Sequence, residues 1–431
     1  MIIEVVIITY KVKAVALDFR GYGVVKDLGK VGFIKGLLPG EEANIKITKE
    51  KKNFFEGEII DLITKSKYRT DFTLEYDNNS LIHLNNEKQL EFQVDITLET
   101  LLRNGIKDFK TNDIITDNKY YNYRNKARFI ARSNPYILLG GYKEGTNKFL
   151  EMDHLIQAEE LINEILIILK EHYLQEKVIY KDLNSVIIRT NKTHAMVIFV
   201  TNTSKTIPLI LYEPLLKDSR VMSIYHQHLE RKNDSYHFNN IKNYKQKFIL
   251  DNIGKYSFVI YPDSFFQVNR DVANLTYKKI KDYLDIDDIV IDAFAGMSSI
   301  GQYISSIVKG VYSIENNTDS VKSAKESIAL NNITNIEVVL GDFNKEFTKY
   351  QKRATTIIVD PPRAGLSSDV IDKINNSKIR KIIYLSCNLR SLVSNLKQLT
   401  NYELREVTPV KMFFQTVEME TLTYLVRKEN D

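Results

Sequence analysis

Along the first 65 residues apolar positions alternate with polar ones in short β-branched runs. The runs are Ile2–Ile8, Val12–Leu17, Gly21–Val25, Val31–Ile34, Ala43–Ile47 and Phe54–Ile60, broken by turns such as Leu38-Pro39-Gly40. Successive side chains on a strand point to opposite faces, so each run reads as half-buried strand restarted by a turn. About five short strands in this length predict a small closed barrel of the oligonucleotide-binding type, with a β-sandwich fragment as the plainer alternative. The start, MIIEVVIITYKVK, has no leading basic region or small-residue cleavage site and reads as strand rather than signal peptide.

From residue 66 to 254 the pattern mixes periods. Leu155–Tyr173 repeats at helical spacing, Val186–Arg189 and Ala195–Val200 read as paired strands, and the polar stretch Asn233–Lys247 reads as a loop. From 255 onward strands and helices alternate. Ile289–Ile291 is followed by an apolar-periodic stretch to Ile307, Val311–Ile314 by a helical run Thr318–Asn331, and then come Glu337–Leu340, Thr356–Val359 and Lys381–Leu385 as buried strands. That rhythm predicts an α/β, doubly wound parallel sheet. The expected organisation is a barrel over 1–65, an α+β middle over 66–254 and the parallel-sheet domain over 255–431.

Composition adds little until single residues are considered. Net charge is +5, which permits a nucleic-acid partner without requiring one. No run of about 18 apolar residues exists, so no membrane span is expected, and a cytoplasmic protein is. The single cysteine, Cys387, excludes an intrachain disulfide, a cysteine zinc finger and a cysteine-ligated iron–sulfur cluster. No metal site is expected. Monomer is the expected state.

Ligands of such sheets bind beyond the carboxyl ends of the strands. The first strand there runs into Asp292-Ala293-Phe294-Ala295-Gly296, and the second ends in Glu315, 23 residues after Asp292, spaced to grip ribose hydroxyls. The third ends in Gly341-Asp342. The first turn is not a glycine-rich phosphate cradle, which favours S-adenosylmethionine over a dinucleotide; an ordinary α/β turn is the bland alternative. The fourth strand delivers Asp360-Pro361-Pro362-Arg363-Ala364-Gly365, a proline-stiffened shelf, or simply a proline turn. The fifth delivers Ser386-Cys387-Asn388. A random cysteine is usually a buried small hydrophobe, but this one falls at the mouth of the crevice and is a candidate nucleophile.

These residues resemble the RNA 5-methyluridine (uracil-carbon-5) methyltransferases over nearly the whole chain. Gly21-Tyr22-Gly23 and Gly36-Leu37-Leu38-Pro39-Gly40-Glu41 are similar to the family's N-terminal TRAM barrel. Tyr123-Arg124-Asn125-Lys126, Gly141-Tyr142-Lys143-Glu144-Gly145 and Ser264-Phe265-Phe266-Gln267-Val268-Asn269 resemble its next signatures. Asp360 to Gly365, Ser386-Cys387-Asn388, and Met412-Phe413 with Thr416 and Glu420-Thr421 resemble the last three. The resemblance implies a Rossmann-like methyltransferase domain, S-adenosylmethionine as cofactor, Cys387 as nucleophile and Glu420 as general base. It places Gln267, Phe294, Glu315 and Asp360 at the cofactor, with Asp342 a further contact.

The chemistry needs such residue types. Carbon 5 of uracil is a poor nucleophile until a thiolate adds to carbon 6, and a base must later remove the carbon-5 proton. The thiol's pKa must be lowered for this, and Arg363 is a candidate source of the field, or merely a brace. Glu418 rivals Glu420 as base, because both would face one side of a strand; it also stands where the family usually has His, and a buried carboxylate there would raise the base's pKa. The family's four cluster cysteines are absent: Leu74–Leu84 contains none and Leu155 stands at the last ligand position.

RNA contact is expected along Lys119–Arg132, where Lys119, Arg124, Lys126, Arg128 and Arg132 run without an acid, interleaved with Tyr120, Tyr121, Tyr123 and Phe129. Tyr123, Arg124, Lys126 and Arg128 are the leading candidates; a solvated strand with core tyrosines is the alternative. A second basic patch holds Arg231, Lys232, Lys242, Lys245 and Lys247 against Asp234. The functional expectation is methylation of a uridine in RNA, 23S rRNA ahead of tRNA. Methylation of another base or atom, or non-catalytic RNA binding, stays open.

Overall fold

The computed structural model describes residues 8–72, 79–143, 146–232 and 235–429. The expected strand residues 2–7, residues 74–78 of the segment 74–84, the Glu144-Gly145 pair of one signature and Asn233-Asp234 of the expected loop and second basic patch lie outside them. The chain gathers into two compact units, Met1–Arg103 with Tyr142–Lys148 and Phe413–Met419, and Asn104–Gly141 with Phe149–Met412 and Glu420–Asp431.

In the first unit, β1 (Tyr10–Leu17), β2 (Gly23–Val25), β3 (Val31–Lys35), β4 (Glu42–Glu50) and β5 (Phe54–Thr64) close into a barrel in the order β1-β2-β3-β5-β4. The alternating apolar positions turn inward as Val12, Ala14, Val25, Ile34, Ala43, Ile45 and Phe55. Gly32 is required because a Cβ there would lie 2.2 Å from the Phe55 ring. The buried Glu41 carboxylate accepts from Arg69 Nε and Nη2, both at 2.6 Å, and from the N–H groups of Leu38 and Ser66. Burial pushes its pKa up, but these partners more than offset that and hold it below the ordinary value. Helix α1 (Asn86–Arg103) belongs to this unit, and its Gln89 exchanges two 2.8 Å hydrogen bonds with Gln415.

Among the described residues the second unit carries a seven-stranded sheet, an eight-stranded sheet and a separate two-stranded hairpin. Its elements begin with β6 (Lys110–Thr111), β7 (Lys126–Ser133), β8 (Ile137–Tyr142), β9 (Phe149–Glu151), α2 (Glu160–Gln175), β10 (Leu183–Thr190) and β11 (Ala195–Thr201). After α3 (Glu213–Lys217) come β12 (Val221–Lys232), β13 (Ser235–Asn243), β14 (Ile249–Ile253) and β15 (Tyr256–Ile260). The first sheet has the order β13-β12-β11-β10-β7-β8-β9, and β14 pairs with β15 as a hairpin. The paired strands over 186–189 and 195–200 are β10 and β11. The helix expected from Leu155 starts only at Glu160, because the backbone of Leu155 is held by the Asn163 side chain and Glu159 N–H donates to Arg124 O. The loop expected over 233–247 is instead largely strand β13, paired along β12.

The second sheet follows α4 (Arg270–Lys281) and consists of β16 (Ile289–Ala293), α5 (Ser299–Ile304), β17 (Gly310–Glu315), α6 (Thr318–Leu330), β18 (Ile336–Leu340), α7 (Phe343–Tyr350) and β19 (Thr356–Val359). It continues through α8 (Ser368–Asn375), β20 (Lys381–Ser386), α9 (Leu389–Gln398), β21 (Tyr402–Val410) and β22 (Glu420–Arg427). The order is β18-β17-β16-β19-β20-β22-β21-β6, parallel from β18 to β20 with β22 antiparallel. This is the doubly wound α/β architecture. β18 is half-exposed rather than buried, since it is the edge strand.

Candidate active site

Ladder register decides what meets at the strand ends. β20 and β22 run antiparallel with Ser386 opposite Thr421. Cys387 follows Ser386 just past the end of β20, and Glu420 precedes Thr421 at the start of β22, so the two flank the last rung of the ladder. Glu420 also pairs with Val410 on β21, and only 8% of it is exposed. On the other side β19 pairs Val359 with Tyr384, so Asp360 leaves the sheet beside the end of β20.

Electrostatics reports the same neighbourhood. Burial pushes the Cys387 thiol up, Glu420 and Asp360 push it further, and Arg363 pulls it down. The net direction is upward, so the electropositive setting expected from sequence is present in Arg363 but outweighed. Glu420 is raised by burial and then by Asp360, and Asp360 is raised by burial. The carboxylate facing Glu420 is thus Asp360, not Glu418. Glu418 lies in the turn before β22 begins, with its N–H donating to Thr416 Oγ1, so the expected same-face strand pair does not form.

Side-chain amides lace the two motif loops together. Asn395 Oδ1 accepts from Leu366 N–H and Tyr384 Oη, both at 2.8 Å, while Asn395 Nδ2 donates to Leu366 O. Asn388 Nδ2 donates to Arg363 O, and its Oδ1 caps α9 at Arg390 N–H. Gly365 has φ +77°, and a Cβ there would stand 2.6 Å from Asn395 Oδ1. The shelf and the Cys387 turn are therefore held as one piece.

The turn after β16 is backbone-strained, with Phe294, Gly296 and Ser298 all at positive φ. Glu315 fixes it: Oε2 accepts from Gly296 N–H at 2.8 Å, and Oε1 accepts from the N–H groups of Asn316 and Asn317. Oε2 keeps acceptor capacity for a hydroxyl. Asp292 lies beneath, accepting from Gly301 N–H and Ser313 Oγ, and burial raises it to about 8. A Cβ on Gly301 would be 2.9 Å from that carboxylate, so only glycine lets α5 approach. Asp342 is exposed at the start of α7.

The donor set fits a nucleoside-bearing cofactor. Ring centroids of Phe294 and Phe343 are 5.2 Å apart, the acid at Glu315 is oriented, and the space over Gly296 is open, so that a Cβ there would come near only Phe265, at 3.7 Å. Phe265 is 61% exposed. Phe343 and Phe265 were not singled out from sequence; the available signals were adjacency to Asp342 and to Gln267. Gln267 is buried, and its loop is pinned where Asn125 Nδ2 donates to Gln267 O and Asn125 N–H to Val268 O.

The Tyr-Arg-Asn-Lys signature is therefore partly structural. Tyr123 is 2% exposed, and Phe129 is buried as well, so neither offers a ring for stacking, contrary to expectation. The burial of Phe129 follows from strand alternation in β7, which sends Ala127, Phe129 and Ala131 to the core and Arg128 and Arg132 outward. Arg124 donates and accepts through its backbone at Gln157 and Glu159. Arg128 is exposed, bonding Ser185 Oγ and Asn184 Oδ1. Lys126 is lowered to about 7, first by the Arg189 charge and then by burial.

The family described as tRNA (Uracil-5-)-methyltransferase matches residues 85–428 by profile, and a TRAM domain matches residues 11–60. The chain belongs to the tRNA (uracil-5-)-methyltransferase family. It is accordingly an S-adenosylmethionine-dependent RNA methyltransferase with an N-terminal TRAM barrel. An "uncharacterized RNA methyltransferase" of Bacillus cereus is 34% identical, covering 96% of this chain and 95% of that protein. One from Fusobacterium nucleatum is 31% identical over 97% and 96%. The crystal structure of the Pyrococcus abyssi tRNA (uracil-54, C5)-methyltransferase with S-adenosyl-L-homocysteine covers 97% of this chain and 100% of its own, at 24% identity and a TM-score of 0.79, a likeness of fold.

Proposed function

We propose that the chain methylates carbon 5 of a specific uridine in RNA through a covalent adduct between Cys387 and uracil carbon 6, with Glu420 as the base. The observation that supports this most is that Cys387 and Glu420 flank the last rung of the β20–β22 ladder, near enough for the Glu420 charge to raise the thiol. S-adenosylmethionine supplies an electrophilic methyl on sulfur. Gln267, Phe294, Glu315, Asp342 and Asp360 are the residues we assign to holding it.

Cys387 sulfur, as thiolate, bonds to carbon 6, and the carbon 5–carbon 6 π pair moves into the ring as an enolate. Carbon 5 then takes the methyl as the methyl–sulfur bond breaks, leaving S-adenosylhomocysteine. Glu420 accepts the proton from carbon 5, the double bond re-forms, and Cys387 leaves as thiolate, so the enzyme is regenerated. Arg363 partly offsets the upward push on the thiol. The uridine must be extruded to reach this depth. We assign 1–65 and 66–254 to RNA binding and 255–431 to catalysis, in a cytoplasmic monomer. No described helix is long and apolar enough to cross a membrane.

We favour 23S rRNA as carrier, on the N-terminal barrel and the absence of cluster cysteines. Incubation of unmodified tRNA and 23S rRNA transcripts with labelled S-adenosylmethionine tests it. Label at a 23S uridine is the expected result, and label in tRNA alone would move the target. 5-Fluorouracil RNA should trap Cys387. Label on another base without a trap would replace this reading by one of another methylated atom, and no label at all by a binding factor.

A further inference from the structure

The end of the β12–β13 hairpin departs from the sheet. β11 pairs with β12 only as far as Thr201 opposite His228, yet β12 and β13 pair on to Lys232 opposite Ser235. The outer rungs form a two-stranded ribbon with no third strand beside them among the described residues, and a bare ribbon is marginal in water. The rungs Leu229–Phe238 and Arg231–Tyr236 share one face.

Three strands separate β13 from β7 in the sheet order, roughly 19 Å at normal strand spacing. Even so, the Arg128 guanidinium of β7 lies 5.7 Å from the Phe238 ring centre. The ribbon therefore curls back over the sheet. Tyr236, on the same face, is 63% exposed. Lower on that face, Gln227 Nε2 donates to Asn240 Oδ1 at 2.9 Å and to Asp263 Oδ1 at 2.7 Å, and Asn240 Nδ2 donates to Asp263 Oδ2 at 2.8 Å. Asp263 begins the loop that carries Phe265 and Gln267 to the strand-end turn, and Lys126 feels its charge.

We infer that this ribbon is an arm that holds an unpaired RNA strand against the sheet and leads it towards the loop 263–267. Arg231 and Arg128 supply cations for phosphates, and Tyr236 supplies a flat ring for a base. An unpaired strand offers phosphates and base faces together, a duplex only the former, and a protein surface neither. The inference rests on the chain acting on RNA, as proposed above.

The test uses the full chain and a 20-nucleotide poly(U) strand, with an RNA duplex of equal length beside it. Tyr236→Ala should weaken poly(U) binding about tenfold while leaving the duplex unchanged, and Tyr236→Phe should bind as wild type. Arg231→Ala should reduce the salt slope of poly(U) binding by about 0.7. Methylation of an RNA transcript by Tyr236→Ala should show a raised KM with kcat retained. Unchanged poly(U) affinity in Tyr236→Ala, or equal losses for strand and duplex, overturns the arm; a melting temperature equal to wild type guards against misfolding. The binding assay needs no turnover. If the wild type methylates no uridine while Tyr236→Ala still loses poly(U), the uracil reading fails and the arm stands.

Discussion

Cys387 is the lone thiol in the chain, so any thiol-specific reagent titrates this one site. Burial, Glu420 and Asp360 all raise its pKa, and Arg363 opposes them. The alkylation rate of wild type with iodoacetamide against pH should therefore rise late, above the range of a free thiol. Glu420→Gln removes the largest opposing charge and should shift that profile to lower pH, whereas Arg363→Gln should shift it higher. A profile insensitive to both would sever Cys387 from the site. Glu420→Gln has a second consequence. Thiol addition and methyl transfer need no base, but release from carbon 5 does, so unmodified RNA should accumulate as a denaturation-resistant adduct. Turnover should fall by about 10²-fold or more. Cys387→Ala should give neither adduct nor turnover. The sign for Glu420 itself follows from its raised pKa: it becomes a competent base only as pH rises above the ordinary carboxylate range. Asp360→Asn removes the neighbouring charge and should move the acid limb of the single-turnover profile to lower pH at saturating cofactor.

At the scale of elements, the two signature loops act through a clamp that no signature contains. Asn395 sits on α9 and holds Leu366 N–H, Leu366 O and Tyr384 Oη at once. Asn395→Ala leaves buried backbone groups without a partner, which costs about 1–3 kcal/mol. The melting temperature should drop accordingly, and KM for S-adenosylmethionine should rise as the Asp360 shelf loosens. Asn395→Asp, which keeps an acceptor but loses the donor, should recover part of the loss. The parallel strands and their order of delivery were legible because each is a run of apolar residues ending at a small or polar turn, as at Ala293, Val359 and Ser386. β13 was not legible. Its residues Asn239, Asn240 and Asn243 have poor strand propensity, so that only pairing with the preceding strand β12 holds them extended. Tyr123 misled for a related reason: a tyrosine amid arginines looks like a stacking face, but only the tertiary packing assigns its ring to the core. Cys387 and Glu420 could be named individually from sequence; that they flank one rung needed the antiparallel reversal of β22.

Across the whole molecule the two units carry buried carboxylates of opposite habit, and this makes stability depend on pH in opposite senses. In the first unit, Glu41 paired with Arg69 has a folded pKa below its unfolded value. That contribution is present above the unfolded pKa and is lost as pH falls through the folded one. In the second unit, Asp292 is raised to about 8, chiefly by burial beneath the strand-end turn. The folded state there prefers the protonated carboxyl, so its contribution is full below the unfolded pKa and is lost progressively as pH rises towards 8. A single group of this kind changes stability by at most about 1.4 kcal/mol per pH unit within that window. Asp292→Asn keeps an acceptor for Gly301 N–H and Ser313 Oγ but cannot ionise. Thermal unfolding of wild type and Asp292→Asn between about pH 4 and pH 8 should therefore converge at the acid end. At pH 8 the variant should be the more stable, with the difference growing across the window. Parallel pH dependences in the two proteins would mean that Asp292 is charged in the folded state and that the turn holds its charge by means other than those described. Arg69→Met should act at the other end, leaving Glu41 buried without its ion pair and weakening the barrel most above pH 5, where the wild-type carboxylate is ionised.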